Sequence, residues 1–377
     1  MSMDMSTLKG DQAAAYDAVA RWFNTPVRQR KKVFRLYGGA GVGKTWVARL
    51  FGNLTNVAYM TLSGKAALVM QSKGCYGAST IHSSIYKLDG DDGAGGMSWE
   101  LREDALKGIG LICLDEAAMA SVPIGLDLES FGIPILGLGD QNQLPPPSDE
   151  AGYLDMEPPD FVMRKVLRQA EDSPITHMAY QALEHGSLKP GKYGNSTVYS
   201  DKIRTDKIKE IMLAADQVIC GKNATRHTYN AEMRKWKGLA GEQAVHCPTV
   251  GERLMCLKNN RKKGILNGEQ FVIREVLAKD LGRVSSLVVA SLDSGSDRPI
   301  EIEVPWNYFN GTEDQMPRYE RANYDQFSYA ELITCHKAQG STYVNPLIVD
   351  ESRVFRENSR RWLYTAITRA SESVGVM

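Results

Sequence analysis

Tyr37-Gly38-Gly39-Ala40-Gly41-Val42-Gly43-Lys44-Thr45 is the stretch whose reading decides the fold. An apolar run, Val33-Phe34-Arg35-Leu36, precedes it and reads as a buried strand. Trp46-Val47-Ala48-Arg49-Leu50-Phe51 follows and reads as a helix. Strand, glycine-rich loop and helix are the setting that the P-loop pattern GxxxxGK[ST] requires. Gly39, Gly41 and Gly43 let the backbone curl, so that its N–H groups, with that of Val42, point at phosphate oxygens. The start of the helix adds partial positive charge. Lys44 can reach the β- and γ-phosphates, and Thr45 offers a hydroxyl to Mg²⁺. A glycine-rich turn without a ligand is the bland alternative. The complete pattern in its full context weighs against it.

The rest of the first half supplies partners for such a loop. A helix expected from Thr7 to about Phe23 carries Gln12, whose amide can donate and accept at once and so suits an adenine edge. Taken alone, Gln12 is more often a solvated helix residue. Asn56–Leu62 reads as a second strand, followed by Ser63-Gly64-Lys65 opening a helix, and then by Ser79-Thr80-Ile81-His82-Ser83. Ser63, Lys65 and His82 could touch a sugar–phosphate backbone, although helix capping explains each singly. A third apolar strand, Ile109–Leu114, ends in Asp115-Glu116. Asp115 is placed to hold Mg²⁺ and Glu116 to polarise an attacking water. A further strand, Ile133–Leu138, runs into Gly139-Asp140-Gln141-Asn142-Gln143, where Gln143 can sense a γ-phosphate. Strands alternating with helices, and polar groups at the strand ends, describe a mostly parallel α/β sheet with its site at the carboxyl edge.

The whole chain sets bounds on the reading. Its 377 residues suit two or three domains, and 45 basic against 45 acidic residues give zero net charge. That balance argues against a broad basic coat for DNA but permits a narrow channel. Six scattered cysteines form no C-x-x-C pair, hence no zinc pattern and no disulfide framework. The N-terminus lacks a signal-peptide pattern, and no apolar run approaches the ~18 residues of a membrane span. A soluble, cytoplasmic protein is the expectation. Residues 88–106 are polar and glycine-rich and read as a protrusion bearing Trp99, which either stacks against a partner or folds back onto the domain.

Together these motifs resemble superfamily 1 DNA helicases, most of all the RecD/Dda-like branch. The likeness extends through the second half. Leu167-Arg168-Gln169 is similar to motif IV, Ile333–Thr342 to motif V, and Trp362–Ala370 to motif VI. The resemblance implies two RecA-like P-loop motor domains, residues 1–150 and 151–377. The 88–106 insertion stands where relatives carry a strand-separating pin. Alternating apolar runs at about 265–325 stand where this branch has an SH3-like β-barrel insertion. The resemblance further implies an ATP-dependent enzyme using ATP and Mg²⁺. Lys44, Glu116, Gln143, Arg168 and Arg369 would be catalytic. Gln12, the P-loop residues, Asp115 and Gly340 would complete the nucleotide site, with Thr45 and Asp115 on the metal. Single-stranded DNA would cross both domains, touching Ser63, Lys65, His82, Trp99, Thr334, His336 and Lys337. Movement from 5′ to 3′, strand separation at single-strand/duplex junctions, action as a monomer, replication or recombination partners and a phage origin are all implied by that branch. A translocase that strips proteins from DNA and a nucleotide-gated DNA-binding switch are the rival readings. Two departures stand out: the protrusion is short and glycine-rich, and Ser373–Met377 leaves little chain for the usual closing strand.

Overall fold

The computed structural model describes residues 8–91, 97–145, 152–164, 173–200, 202–239, 247–260, 262–279, 283–293 and 297–377. The first helix runs from Gln12 to Phe23 with Asp11 at its N-cap, so it starts later than Thr7, which lies outside the described residues. Eight strands follow in chain order: β1 (Val33–Gly38), β2 (Val57–Thr61), β3 (Ser79–Thr80), β4 (Tyr86–Asp91), β5 (Met97–Leu101), β6 (Leu111–Leu114), β7 (Ile135–Gly139) and β8 (Phe161–Met163). Six of them form one parallel sheet in the order β3-β2-β6-β7-β1-β8. Helices cover both faces, so β1, β6 and β7 are buried throughout, which is why they read as unbroken apolar runs. The exception is Arg35, which is buried in β1 and donates to Glu157 at 2.9 Å. Because β8 pairs with β1, the first sheet reaches past the expected boundary at residue 150.

β4 and β5 stand apart as an antiparallel hairpin, with Leu88 opposite Trp99. Its tip, residues 92–96, and the Trp99 side chain lie outside what is described. The base of the hairpin is anchored: Ile85 and Tyr86 are buried, the Tyr86 hydroxyl donates to Asp127 at 2.5 Å, and Leu106 belongs to the same core.

The second half builds another sheet from β9 (Gly191–Tyr193), β10 (Ser196–Val198) and β11 (Val218–Cys220). It then leaves for a third sheet made of β12 (Arg253–Cys256), β13 (Gln270–Lys279), β14 (Val284–Ser291), β15 (Ile300–Pro305) and β16 (Phe327–Tyr329). It returns with β17 (Leu332–Thr334), β18 (Leu347–Ile348) and β19 (Gly375–Val376). The second sheet has the order β17-β11-β18-β19-β10-β9 and is parallel except for β9. The closing strand is therefore present as β19, wedged between β18 and β10.

The third sheet is antiparallel, in the order β15-β14-β13-β12-β16. It takes in Arg253–Cys256 and Phe327–Tyr329, both beyond the expected 265–325 span. Register shifts near Glu275 and Ala278 bend β13. The Asp325 N–H donates to the Glu303 carbonyl at 2.9 Å, drawing the two edges of the sheet together. The segment after Trp306, which sequence reading does not place, supplies Tyr308, Phe309 and Met316 to this core.

One buried ion pair ties the helix Asn223–Trp236 to the third sheet. Arg234 donates to Glu252 and to the Cys247 carbonyl, and its guanidinium lies 4.2 Å from the centre of the Tyr329 ring. Burial pushes the Glu252 carboxyl up, and Arg234 opposes that shift. Removing one member strands the other charge. Arg234→Met is thus expected to destabilise the second half by about 3–5 kcal/mol, and Arg234→Met with Glu252→Leu to restore most of that. Denaturant unfolding of both variants checks it; equal loss in the single and the double variant contradicts the pairing.

Candidate functional site

Topology brings the expected residues together. The carboxyl ends of β6, β7 and β1 are adjacent, so the Asp115-Glu116 turn, the Asp140–Gln143 turn and the P-loop converge on one edge. Gly41 and Gly43 adopt φ of 78° and 88°, and Gly43 caps the helix Lys44–Leu50. Both lie in the left-handed region that glycine alone enters freely. The Lys44 ammonium donates to the Gly38 and Gly39 carbonyls at 2.6 and 3.0 Å, which holds it at the mouth of the loop. The Thr45 hydroxyl donates to Asp115 Oδ2 at 2.9 Å. Asp115 Oδ1 accepts the Glu116 N–H, also at 2.9 Å, and Glu116 sits at φ 52°. A non-glycine residue in that region is unusual and concentrates at functional sites.

Opposite this edge stands the helix Ser359–Ile367, which packs on the helix Pro174–His185 in the second core. Arg369 follows it and is buried. Its guanidinium donates to the Thr365 carbonyl at 3.1 Å and to the Thr368 hydroxyl at 3.2 Å. A cavity of about 920 Å³ separates the two walls. Gly43, Lys44, Thr45, Asp115, Glu116 and Gln143 line it from the first half; Gly340 and Arg369 do so from the second. Burial raises the Glu116 carboxyl above the usual carboxylate range. Arg369 and Lys44 pull it back down, while Asp115 and Asp140 push it up. A carboxyl tuned in this way, beside cations from two separate segments, can accept a proton from water.

Several close approaches hold the walls together. A Cβ on Gly340 (φ 74°) would meet the Ala66 Cβ at 2.7 Å, and one on Gly64 would meet the Leu266 Cβ at 2.2 Å. The Leu144 N–H donates to the Thr365 hydroxyl at 2.9 Å, and the Tyr364 hydroxyl to Asp140 at 2.8 Å. Leu144 itself is built into the second core. Sequence reading missed Tyr364, Thr365 and Leu144 as cross-cleft contacts, although the first two lie inside the motif VI stretch.

Other expected residues are placed differently. Gln12 is buried against the P-loop, where it donates to the Val42 carbonyl at 3.2 Å and accepts the Lys9 N–H at 3.0 Å. It does not line the cavity, and in this arrangement it braces the loop. Lys65 does not face a groove: it is buried, 3.2 Å from Asp293 of the third sheet and 5.1 Å from the centre of the Tyr343 ring. An ammonium at the edge of a closed interface satisfies its charge internally. Ser63 accepts the Ala66 N–H at 3.2 Å and caps its helix. His82 packs on the Tyr86 ring at 5.4 Å. Thr334, His336 and Lys337 do lie together, at the carboxyl end of β17. Thr334 is the N-cap of the helix Cys335–Ala338, and Lys337 donates to Asn267 at 3.0 Å. Burial lowers the pKa values of both His336 and Lys337. Arg168 lies outside the described residues. No helix among the described residues is long and apolar enough to cross a membrane.

A P-loop wall and a wall bearing the buried Arg369 of the second half thus enclose one cavity. Residues 7–201 match the family described as AAA domain, and residues 329–377 match the UvrD-like helicase C-terminal domain. The chain belongs to that AAA domain family. An uncharacterized protein of Methanocaldococcus jannaschii is 23% identical over 92% of this chain, which spans 37% of that relative's length. A structure of two coordinating Pif1 helicases at forked double-stranded DNA superposes with TM-score 0.58 and 18% identity, covering 98% of this chain and 92% of that one. Bacteroides Pif1 in complex with ADP-AlF3 and single-stranded DNA gives 0.57 and 17%, covering 99% and 92%. At these identities the structural likeness speaks for the fold.

Proposed function

We propose that this protein hydrolyses ATP to move along single-stranded DNA from 5′ to 3′ and to separate duplex strands. The observation that carries the reading is that Glu116 and Arg369, from opposite halves, face one cavity floored by the P-loop. Binding across such a cleft draws the halves together, and loss of the γ-phosphate lets them part. Lys44 and Gln143 contact the γ-phosphate, and the likeness of Leu167-Arg168-Gln169 to motif IV assigns Arg168 to the same group. Arg369 supplies charge in the transition state, as an arginine placed across a cleft does. The hydroxyl of Thr45 and the carboxylate of Asp115, 2.9 Å apart, are hard oxygen donors that would hold Mg²⁺. When bound, Mg²⁺ would supply charge neutralisation for the phosphates, while Glu116 orients the water and takes its proton.

Thr334, His336 and Lys337 form the second-half end of the DNA track, with Ser63 and His82 at the first. The third sheet is read as an SH3-like insertion and the β4–β5 hairpin as the pin. The protein works as a soluble cytoplasmic monomer, and its relatives named above, which bind single-stranded and forked DNA, support DNA as the partner. Matched duplexes carrying a 5′ or a 3′ single-stranded tail test the whole reading. ATP-driven displacement from the 5′ tail alone is expected; displacement from the 3′ tail reverses the polarity, and silence on both removes the motor. For the pin, Trp99→Ala is expected to slow strand separation several-fold more than DNA-stimulated hydrolysis. If both rates fall together, Trp99 packs rather than wedges.

A further inference from the structure

We infer that Tyr364 is a positioning residue that competes with nucleotide phosphate for the P-loop and so links occupation of the loop to the grip between the two halves. The inference rests on the ATP-hydrolysing reading above. Tyr364 belongs to the second half, yet its hydroxyl ends between two elements of the first. It donates to Asp140 Oδ2 at 2.8 Å and accepts the Ala40 N–H of the P-loop at 3.4 Å. Tyr180, on the neighbouring helix, packs edge-on against its ring, with centroids 6.1 Å apart. A Cβ on Gly39 would fall 2.9 Å from the Tyr180 hydroxyl and 3.3 Å from that of Tyr364, so both phenols close down on the mouth of the loop. Burial and the Asp140 carboxylate push the Tyr364 phenol far above its ordinary value, so it remains a donor at all working pH.

The P-loop works by turning its amides toward phosphate oxygens. Ala40 lines the cavity, but in this arrangement its N–H is directed at the phenol oxygen. A phosphate recruiting that amide must take it from Tyr364. Tyr364 then keeps only Asp140, which accepts the Asn142 N–H through its other oxygen and lies near enough to Glu116 to raise it. The same hydroxyl thus restrains the loop and anchors the second half to the Asp140–Gln143 turn.

Tyr364→Phe keeps the ring and its packing and removes only the hydroxyl. Fluorescent ADP, a non-hydrolysable ATP analogue and ATP turnover with and without single-stranded DNA are the probes. Nucleotide Kd and KM are expected to fall roughly two- to tenfold, the range one hydrogen bond supports. DNA-stimulated kcat is expected to fall at the same time, because the anchor to Asp140 is lost. Unchanged or weakened nucleotide binding in Tyr364→Phe overturns the inference while leaving the hydrolytic reading intact, provided that the wild type turns over. A wild type that binds nucleotide without turnover overturns the hydrolytic reading alone, since Kd still reports on Tyr364. Absence of any binding overturns both.

Discussion

Arg369→Ala is expected to lower kcat for ATP hydrolysis by about 10³- to 10⁵-fold, the range over which a cleft-spanning arginine acts in phosphoryl transfer. The side chain is already desolvated and pre-aimed: it is 5% exposed and held by the Thr365 carbonyl and the Thr368 hydroxyl. Charge placed in a water-poor site before the reaction needs no reorganisation during it, and this is why its removal costs so much. Nucleotide Kd should change little, since Lys44 and the loop amides remain. Lysine is not expected to rescue the loss, because an ammonium cannot make the forked contacts of a guanidinium. A second signature separates this from misfolding. Arg369 helps to hold the Glu116 pKa down, so the residual activity should show its acid limb at higher pH than in the wild type. Steady-state kinetics across pH would contradict the assignment by showing a fall of less than tenfold.

Glu116→Gln is expected to reduce kcat by about 10²- to 10⁴-fold while leaving nucleotide binding in place. The sign of the pH dependence follows from the direction of the shift. A general base acts when deprotonated, and burial raises the Glu116 pKa above that of an ordinary carboxylate. In the wild type, hydrolysis therefore rises with pH through that raised value, and it is lost on acidification earlier than a solvated glutamate would allow. The glutamine variant should keep a low rate without that limb. Persistence of the limb in Glu116→Gln would assign it to a different carboxyl group.

The two variants probe opposite walls of one cavity. How differently those walls are written into the chain explains what could be read in advance. Lys44, Thr45, Asp115 and Glu116 stand next to apolar runs at the ends of parallel strands, so local pattern and chemistry coincide. Arg369 was reached through resemblance, because nothing local distinguishes it from a surface arginine. Lys65 shows the limit from the other side. Its position after a strand suits phosphate contact, but Asp293, distant in sequence, sits 3.2 Å away and takes its charge. Gln12 has the groups to read a base, yet it is buried against the P-loop, bonded to the Val42 carbonyl and the Lys9 N–H. The third sheet was partly legible in the alternation of β13, β14 and β15. β12 and β16 were not, since three- and four-residue strands buried on both faces show no period of two.

By itself, the sequence determined the parallel half built around the P-loop and its candidate phosphate and metal residues, and, through resemblance, a second half bearing an arginine. These depend on short-range geometry: strand, turn, helix start, and the reach of a side chain from a known backbone position. Only the tertiary structure decided which groups meet across the cleft. The Tyr364 bridge, the Leu144 insertion, the glycine contacts at Gly64 and Gly340 and the sequestering of Lys65 all join residues separated by about two hundred to more than three hundred positions. Their distances follow from how two sheets and a third bent one pack together, and no local spacing encodes that packing.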